Sequence, residues 1–327
     1  MNKVLYFPHI RVPNTNWFTR ILLYWDEVGA IVPYEFIAEP ERHDPYTKSL
    51  VEENLVRQII PWMYTYNIPR FTDAFVEYVQ SLGPELERRR EAFHGGLLKK
   101  RKSYRIHLEK LHDVAQALTE LGLADQTDYS WLDVESNTGK DFMSYLACTL
   151  GKVEELGHLP VTDKPDFLDE FLEAGTSKTE GQKKVKSLRM TVLEKLLPSP
   201  NRPLRASEIA EFKNKHGEFL ASFRRKVEKE LITIAGLKDP GLQDDRLSLF
   251  LDESREVIEE IKGRMGEQGW DNLVFGKFCA IIAAIPGVSS VFGLANAVHG
   301  AFSSKDSSLP ESPYLYAAYA QEDLLAA

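Results

Sequence analysis

The sequence predicts an α/β fold in its first half, with a mainly parallel sheet, followed by a mainly α-helical part. Short branched or aromatic runs stopped by proline occur at residues 4–7, 30–32 and 55–60, as in buried strands. Helical spacing of apolar residues separates these runs, and two strands joined through a helix are most easily parallel. After residue 203, two long amphipathic stretches indicate packed helices. Repeated strand–helix units are also compatible with a barrel-like arrangement of the sheet.

Composition narrows the class of protein. The chain has 327 residues and a formal charge of -9, which argues against a protein that binds nucleic acid over most of its surface. Its two cysteines, Cys148 and Cys279, lie in apolar helical surroundings far apart in the chain. This is the pattern of free thiols in a reducing compartment. Since no secretory signal is evident, we expect a cytoplasmic location.

The first strand–helix–strand unit organises the prediction. Residues 4–7 form an apolar run ended by Pro8, and residues 13–16 supply turn residues and a helix N-cap. Apolar residues then recur at helical spacing from Trp17 to Val28, and Gly29 is expected to end that helix. Residues 30–32 are the second predicted strand.

The same pattern continues to residue 157, the predicted end of the α/β domain. A third strand is expected at 55–60 and a helix at 72–82. Strands are then predicted at 104–108 and 131–135, because apolar and polar residues alternate there. Each of these two strands leads into a helical pattern, at 110–121 and 142–151 respectively.

Residues 158–203 read as a connecting segment. Pro160 and Pro165 predict a rigid, turn-rich connection, and residues 174–184 predict a mobile linker. Residues 185–197 suit either a strand or a helix.

The predicted helical domain covers residues 204–327. Helices are expected at 207–236 and 244–265, antiparallel to each other, with His216 as a hydrogen-bonded core residue. An aromatic tail is expected to dock on the body of the protein; it contains Tyr314, Tyr316, Tyr319 and Leu324.

Residues 278–304 contain no formally charged side chain and are rich in Gly and Ala. Such a stretch is long enough to span a bilayer. Pro286 and Gly287 interrupt it near the middle, and polar residues occur within it. These features favour a buried helical hairpin or a self-association surface over insertion into a membrane.

Two clusters offer chemistry. A histidine and three carboxylates lie near the ends of strands that lead into helices, where parallel α/β folds bind ligands: His107, Glu109, Asp133 and Glu135. Such residues suit a divalent metal or acid–base catalysis, or alternatively cap helices and form ion pairs. A basic segment with interleaved aromatics suits a phosphate backbone, or alternatively is a solvated loop. It comprises Arg88, Arg89, Arg90, Lys99, Lys100, Arg101, Lys102 and Arg105.

Several short motifs carry a resemblance that runs in order along most of the chain. They are Leu5-Tyr6-Phe7-Pro8, Leu22-Leu23-Tyr24-Trp25-Asp26, Ile31-Val32-Pro33, Leu197-Pro198-x-Pro200, Ile209-x-x-Phe212 and Phe223-Arg224. Together they resemble a bacterial family catalogued as a domain of unknown function. The resemblance implies a bacterial, cytoplasmic protein and transfers no catalytic residue and no cofactor.

Three hypotheses on function follow. The preferred one is an interaction or regulatory protein that self-associates or binds a protein partner through its C-terminal helices. The second is a metal-dependent hydrolase that uses His107, Glu109, Asp133 and Glu135. The third is a nucleic-acid-binding module centred on residues 88–105. The sequence names no cofactor, and a membrane is the least favoured partner.

Overall fold

The computed structural model describes residues 2–95, 103–167, 180–268 and 312–325. The chain divides into two compact units, Met1–Ser177 with Arg205–Ser207, and Lys178–Leu204 with Glu208–Ala327. The first unit is α/β and the second is helical. The predicted fold class is therefore confirmed.

The α/β unit alternates strands and helices along most of its length. Its described strands are β1 (Lys3–Tyr6), β2 (Glu27–Ile31), β3 (Val56–Ile59), β4 (Ser103–His107), β5 (Ala124–Gln126), β6 (Trp131–Glu135) and β7 (His158–Val161). Its described helices are α1 (Asn16–Tyr24), α2 (Tyr34–Ala38), α3 (Pro45–Glu52), α4 (Trp62–Thr65), α5 (Phe71–Ser81), α6 (Pro84–His94), α7 (Leu108–Leu111), α8 (Val114–Glu120) and α9 (Ser136–Lys152).

Four parallel strands form the central sheet in the order β3-β2-β1-β7. The first three were predicted, and Thr15 caps α1 as expected by accepting a hydrogen bond from Phe18 N. Strands β3 and β7 lie at its two edges in the described part of the chain, so the sheet is open there. All four strands carry buried apolar side chains, as expected for a parallel sheet covered on both faces.

Gly29 lies inside β2, whereas the sequence predicted that it ends the first helix. That helix already ends at Tyr24. A Cβ atom at Gly29 would lie 2.5 Å from Ile59 Cδ1 and 3.2 Å from His158 Nε2. Gly29 therefore serves close packing within the sheet and does not act as a helix stop.

Strand β7 occupies part of the segment that was predicted to be a connection. Pro160 lies within it and would weaken a central strand, because proline cannot donate to the ladder. At an edge of the sheet, where β7 pairs with β1 alone, this loss is tolerated. The α/β unit therefore extends beyond residue 157.

Strands β4 and β6 are correctly placed along the chain, but they do not join the parallel sheet. They form a separate antiparallel sheet with β5, in the order β4-β6-β5. Strand β5 was not predicted, since it is only three residues long. The helix predicted at 110–121 divides into α7 and α8 around His112, whose φ of 50° is not helical.

The helical unit contains α10 (Glu180–Leu196), α11 (Ala206–His216), α12 (Leu220–Ala235), α13 (Pro240–Gln268) and α14 (Leu315–Leu325). Residues 185–197, left undecided by the sequence, thus fall mainly in a helix. The long helix predicted at 207–236 is interrupted by a 3-10 turn at Gly217–Phe219.

The aromatic tail docks within the helical unit as predicted. Tyr316 is fully buried, and its ring centroid lies 5.3 Å from that of Phe212. His216 stacks on Tyr319 with centroids 4.1 Å apart, and its Nε2 lies 3.0 Å from Asp323 Oδ2. His216 is therefore a partnered core residue.

Among the described helices, none combines the length and the apolar character needed to cross a bilayer. The apolar stretch 278–304 and Cys279 lie outside the described residues.

Candidate functional site

A cavity of about 560 Å³ opens at the carboxyl edge of the parallel sheet. Its walls include Tyr6 at the end of β1, residues 8–13 that follow it, and Asp163 and Lys164 just after β7. The chain leaves β1 towards β2 on one side, while β7 lies on the other. Open α/β sheets bind ligands where the strand order reverses in this way. The volume is typical of small-molecule sites.

Positive side chains dominate the charged groups of the cavity lining. Among the residues that the structure describes, the lining includes one carboxylate, Asp163, and five Lys or Arg residues: Arg11, Arg42, Arg105, Lys110 and Lys164. Carboxylates offset part of this charge, because Arg42 pairs with Glu39, Arg105 with Asp128, and Lys164 with Asp163. The lining still carries a positive excess, which attracts anions.

Aromatic side chains supply flat surfaces in the same walls: Tyr6, Phe36, Tyr104 and Trp131. The Arg105 guanidinium lies 5.2 Å from the centroid of the Trp131 ring, within the range of a cation–π contact. The His107 ring meets Trp131 edge-on at a centroid distance of 5.0 Å. A planar ligand would find both stacking surfaces and cations here.

Lys110 is the most unusual group in the lining. It lies on α7 and is only 4% exposed, and its Nζ donates a hydrogen bond to Pro8 O at 3.2 Å. Burial lowers the pKa of Lys110 to about 7, because removal from water disfavours the ammonium form. An amine in this state gains and loses a proton near neutral pH.

His9, Tyr104 and Tyr6 place further protic groups in the cavity walls. The Tyr104 hydroxyl lies 3.5 Å from His9 Nδ1, and the Tyr6 hydroxyl donates to Asp163 Oδ1 at 3.1 Å. Burial lowers the pKa of His9, with smaller contributions from the positive charges of Lys110 and Lys164. Burial also raises the pKa of both tyrosines. Both phenols are therefore protonated donors at neutral pH.

Gly139 supports the Tyr104 wall from behind. A Cβ atom at Gly139 would lie 2.9 Å from Tyr104 Cβ, so only glycine lets α9 pack so closely under β4. The Tyr104 ring also meets Phe167 at a centroid distance of 5.5 Å. These contacts hold the ring in place at the cavity.

The structure does not bring the four predicted catalytic residues together. Because β4 and β6 are antiparallel, His107 is opposite Trp131 whereas Glu135 is opposite Ser103. His107 and Glu135 are thus at opposite ends of the strand pair, roughly 13 Å apart by the rise of a strand. Within the described residues, no group of three or more His, Cys, Asp or Glu side chains is placed to hold a metal ion.

Three of these residues have structural partners. Glu135 caps α9 by accepting from Asn137 N and Thr138 N at 3.0 and 2.8 Å. Glu109 accepts from Tyr34 N at 2.7 Å. His107 Nε2 lies 3.0 Å from Glu35 Oε1, and burial lowers the pKa of His107. Asp133 is opposite Arg105 in the ladder. Of the four, His107 alone lines the cavity.

The predicted basic segment is only partly described. Arg88, Arg89 and Arg90 lie on α6, and Arg105 lies on β4, while Lys99, Lys100, Arg101 and Lys102 lie outside the described residues. Arg89 is buried and pairs with Asp141 at 2.6 Å. Arg90 donates to Leu121 O at 2.6 Å. These two are structural, and Arg105 belongs to the cavity instead.

Most of the cavity groups were missed by sequence reasoning. The sequence places Lys110 at the start of an amphipathic helical pattern, and nothing local indicates that it is buried and bonded to Pro8 O. One signal was available: His9 and Arg11 directly follow the first strand. The rule that ligands bind at carboxyl ends of parallel strands points to that loop.

A comparison with protein-family models finds no match, and comparisons with curated proteins and with solved structures find none either.

Proposed function

We propose that the α/β unit binds a small anionic compound with a planar, unsaturated part at the carboxyl edge of its sheet. The observation that carries this proposal is the cavity lining, in which, among the described residues, five basic and four aromatic side chains accompany a single carboxylate. Cations select the charge of the ligand, and aromatic faces select its shape.

The binding mode follows from the placement of the cations. Arg11 is exposed and follows β1, whereas Lys110 is buried deeper in the wall on α7. Arg11 can therefore meet an anionic group from solvent without prior desolvation. Stacking on Trp131 or Tyr104 would then hold the planar part.

The test is calorimetric titration with pyridoxine 5′-phosphate, inorganic phosphate and pyridoxine. We expect the aromatic phosphate to bind most tightly, because it alone offers both features. Arg11→Glu should weaken its binding by about 10- to 100-fold, since a charge-assisted contact becomes a repulsion.

Arg88→Glu is the matched control. Arg88 is 75% exposed in its side chain, lies on α6 and pairs only locally, with Glu85 at 3.3 Å. This variant makes the same charge change away from the cavity and should leave affinity unchanged. Equal weakening by both variants, or equal affinity for pyridoxine and its phosphate, would contradict the proposal.

Interaction through the C-terminal helices remains a prediction, as do a bacterial origin and a cytoplasmic location. The thiol of Cys148 is buried. Nucleic-acid binding also remains a prediction. It depends mainly on Lys99, Lys100, Arg101 and Lys102, which lie outside the described residues. Steeply salt-dependent binding lost on neutralising residues 99–102 would support it.

A further inference from the structure

Lys110 has the position of a reactive amine. Its side chain lines the cavity, yet it is almost completely buried. The bond to Pro8 O uses one hydrogen of the amine, and a neutral amine also has a lone pair that this bond leaves available. A lysine that served only to bind anions would gain by being solvated and fully charged.

We infer that Lys110 is a nucleophile that forms an imine with a small aldehyde or ketone carrying an anionic group. This inference rests on the proposed function, since the anionic group of the carbonyl compound would be held by the same cationic lining. A desolvated lysine in an apolar pocket is an established way to activate an amine for this reaction.

The step balances without any further reactant. The Lys110 nitrogen attacks the carbonyl carbon and forms a C–N bond, while the C–O π electrons move to oxygen. One amine hydrogen passes to that oxygen, which gives a carbinolamine. The second amine hydrogen leaves with the hydroxyl group as water, and the imine remains.

The neighbouring groups suit these proton transfers. His9 lies close enough to Lys110 for their charges to interact, and Tyr104 extends this pair through its 3.5 Å contact with His9. The positive charge of Lys110 also contributes to lowering the pKa of His107. Asp163, a carboxylate of the lining, is engaged by Tyr6 and Lys164, and burial lowers the pKa of Lys110.

The fraction of the Lys110 amine that is unprotonated determines how much faster it should react than an ordinary lysine. With a pKa of about 7, half of Lys110 is unprotonated at neutral pH. An ordinary lysine, with a pKa of about 10.4, is unprotonated in roughly one molecule in 2,500 at pH 7. Lys164 is the natural comparison, because it lines the same cavity but its side chain is 46% exposed.

The experiment treats the full chain at pH 7 with limiting pyridoxal 5′-phosphate, reduces the imine with borohydride, and maps the modified lysines by peptide mass spectrometry. We expect Lys110 to react at least about ten times faster than Lys164, because burial keeps about half of the Lys110 amine neutral at this pH. Lys110→Arg should abolish the fast reaction, whereas Lys48→Arg, at an exposed lysine of α3 outside the cavity lining, should preserve it. Equal rates at Lys110 and Lys164 in the unaltered chain would overturn the inference.

Two further probes separate this inference from the proposed function. Pyridoxal lacks the phosphate; if it modifies Lys110 as fast as pyridoxal 5′-phosphate does, the amine is reactive and the anion site is wrong. Pyridoxine 5′-phosphate lacks the aldehyde. If it binds tightly while Lys110 reacts with pyridoxal 5′-phosphate no faster than Lys164 does, the proposed anion site is supported and the assignment of Lys110 as a nucleophile is wrong. Protection of Lys110 by pyridoxine 5′-phosphate would support both.

Discussion

The two edges of the parallel sheet place their charged groups in different surroundings. At the amino edge, Glu27 stands among three positive or basic groups: His158 Nε2 and Arg57 at 3.0 and 3.1 Å from Oε1, and Lys3 at 3.8 Å from Oε2. At the carboxyl edge, cations outnumber carboxylates around an open cavity, and Lys110 is buried. At the amino edge the basic groups share one carboxylate by direct contact, whereas at the carboxyl edge they line a cavity that a ligand can enter.

The charged groups at the amino edge stabilise the sheet itself. The amino-edge residues come from all the strands of the sheet, since Lys3 is paired in register with both Glu27 and His158, and Gly29 with Arg57. Their ion pairs therefore join neighbouring strands. Of the carboxyl-edge cations, Arg105 lies on the second sheet and Lys110 on α7, and all five line the cavity.

The largest effect on stability is expected from Glu27→Ala. The substitution leaves His158, Arg57 and Lys3 without their shared anion and should lower the free energy of unfolding by about 2 to 3 kcal/mol. Denaturant unfolding followed by tryptophan fluorescence measures it, since Trp17, Trp25, Trp62 and Trp131 all lie in the α/β unit. Glu52→Ala is the control: Glu52 is 64% exposed and pairs with Lys48 at only 3.9 Å. A similar loss in both variants would remove the contrast between the edges.

Lys110→Met should have the opposite sign and should stabilise the α/β unit by about 2 kcal/mol at pH 7, because the linkage cost of about 4 kcal/mol is removed while Pro8 O loses its hydrogen bond. The pKa of Lys110 is lowered in the folded state, so between pH 7 and about 10 the unfolded chain binds more protons than the folded one. The stability of the unaltered chain therefore rises with pH across that window. This rise should be about 2 kcal/mol between pH 7 and 9 and should be absent in Lys110→Met. Lys164→Met, at the exposed lysine, should change neither quantity; destabilisation by Lys110→Met would show that Lys110 is a structural residue.

The smallest effect is expected from His158→Gln under acidic conditions. Burial lowers the pKa of His158, opposed by the charge of Glu27 and reinforced by Lys3 and Arg57. As pH falls through about 6.5, the unfolded chain takes up a proton at this position and the folded chain does not, so stability is lost. Between pH 7 and 5.5 the unaltered chain should lose about 1 kcal/mol more than His158→Gln does. Parallel losses in the two proteins would mean that His158 accepts its proton without cost, beside Glu27.

Local sequence patterns predicted much of the fold for identifiable reasons. Apolar runs ended by Pro8, Pro33 and Pro61 marked the first three strands, because proline cannot continue a ladder. Strand β7 was missed on the same grounds, since Pro160 lies inside it and is tolerated only at an edge. The rule that proline ends a strand thus located β1, β2 and β3 correctly. It failed for β7, because a proline is tolerated inside a strand at the edge of a sheet.

The candidate site was less predictable. His107, Glu109, Asp133 and Glu135 were grouped on the assumption that their strands run in the same direction, and the antiparallel register of β4 and β6 separates them. Glu135 illustrates the competing explanation: a carboxylate at a strand end can cap the next helix. Of the basic segment, Arg105 lines the cavity, whereas Arg89 forms a buried ion pair with Asp141.

The class of this protein, an α/β part followed by helices, can be inferred from local patterns, because side-chain periodicity and proline positions act over a few neighbouring residues. Which strands pair, in which direction they run, and which charges are removed from water depend on contacts between distant parts of the chain. The bond from Lys110 to Pro8 joins residues 102 positions apart. Since desolvation depends on such distant contacts, no local pattern identifies Lys110 as the unusual group of the cavity.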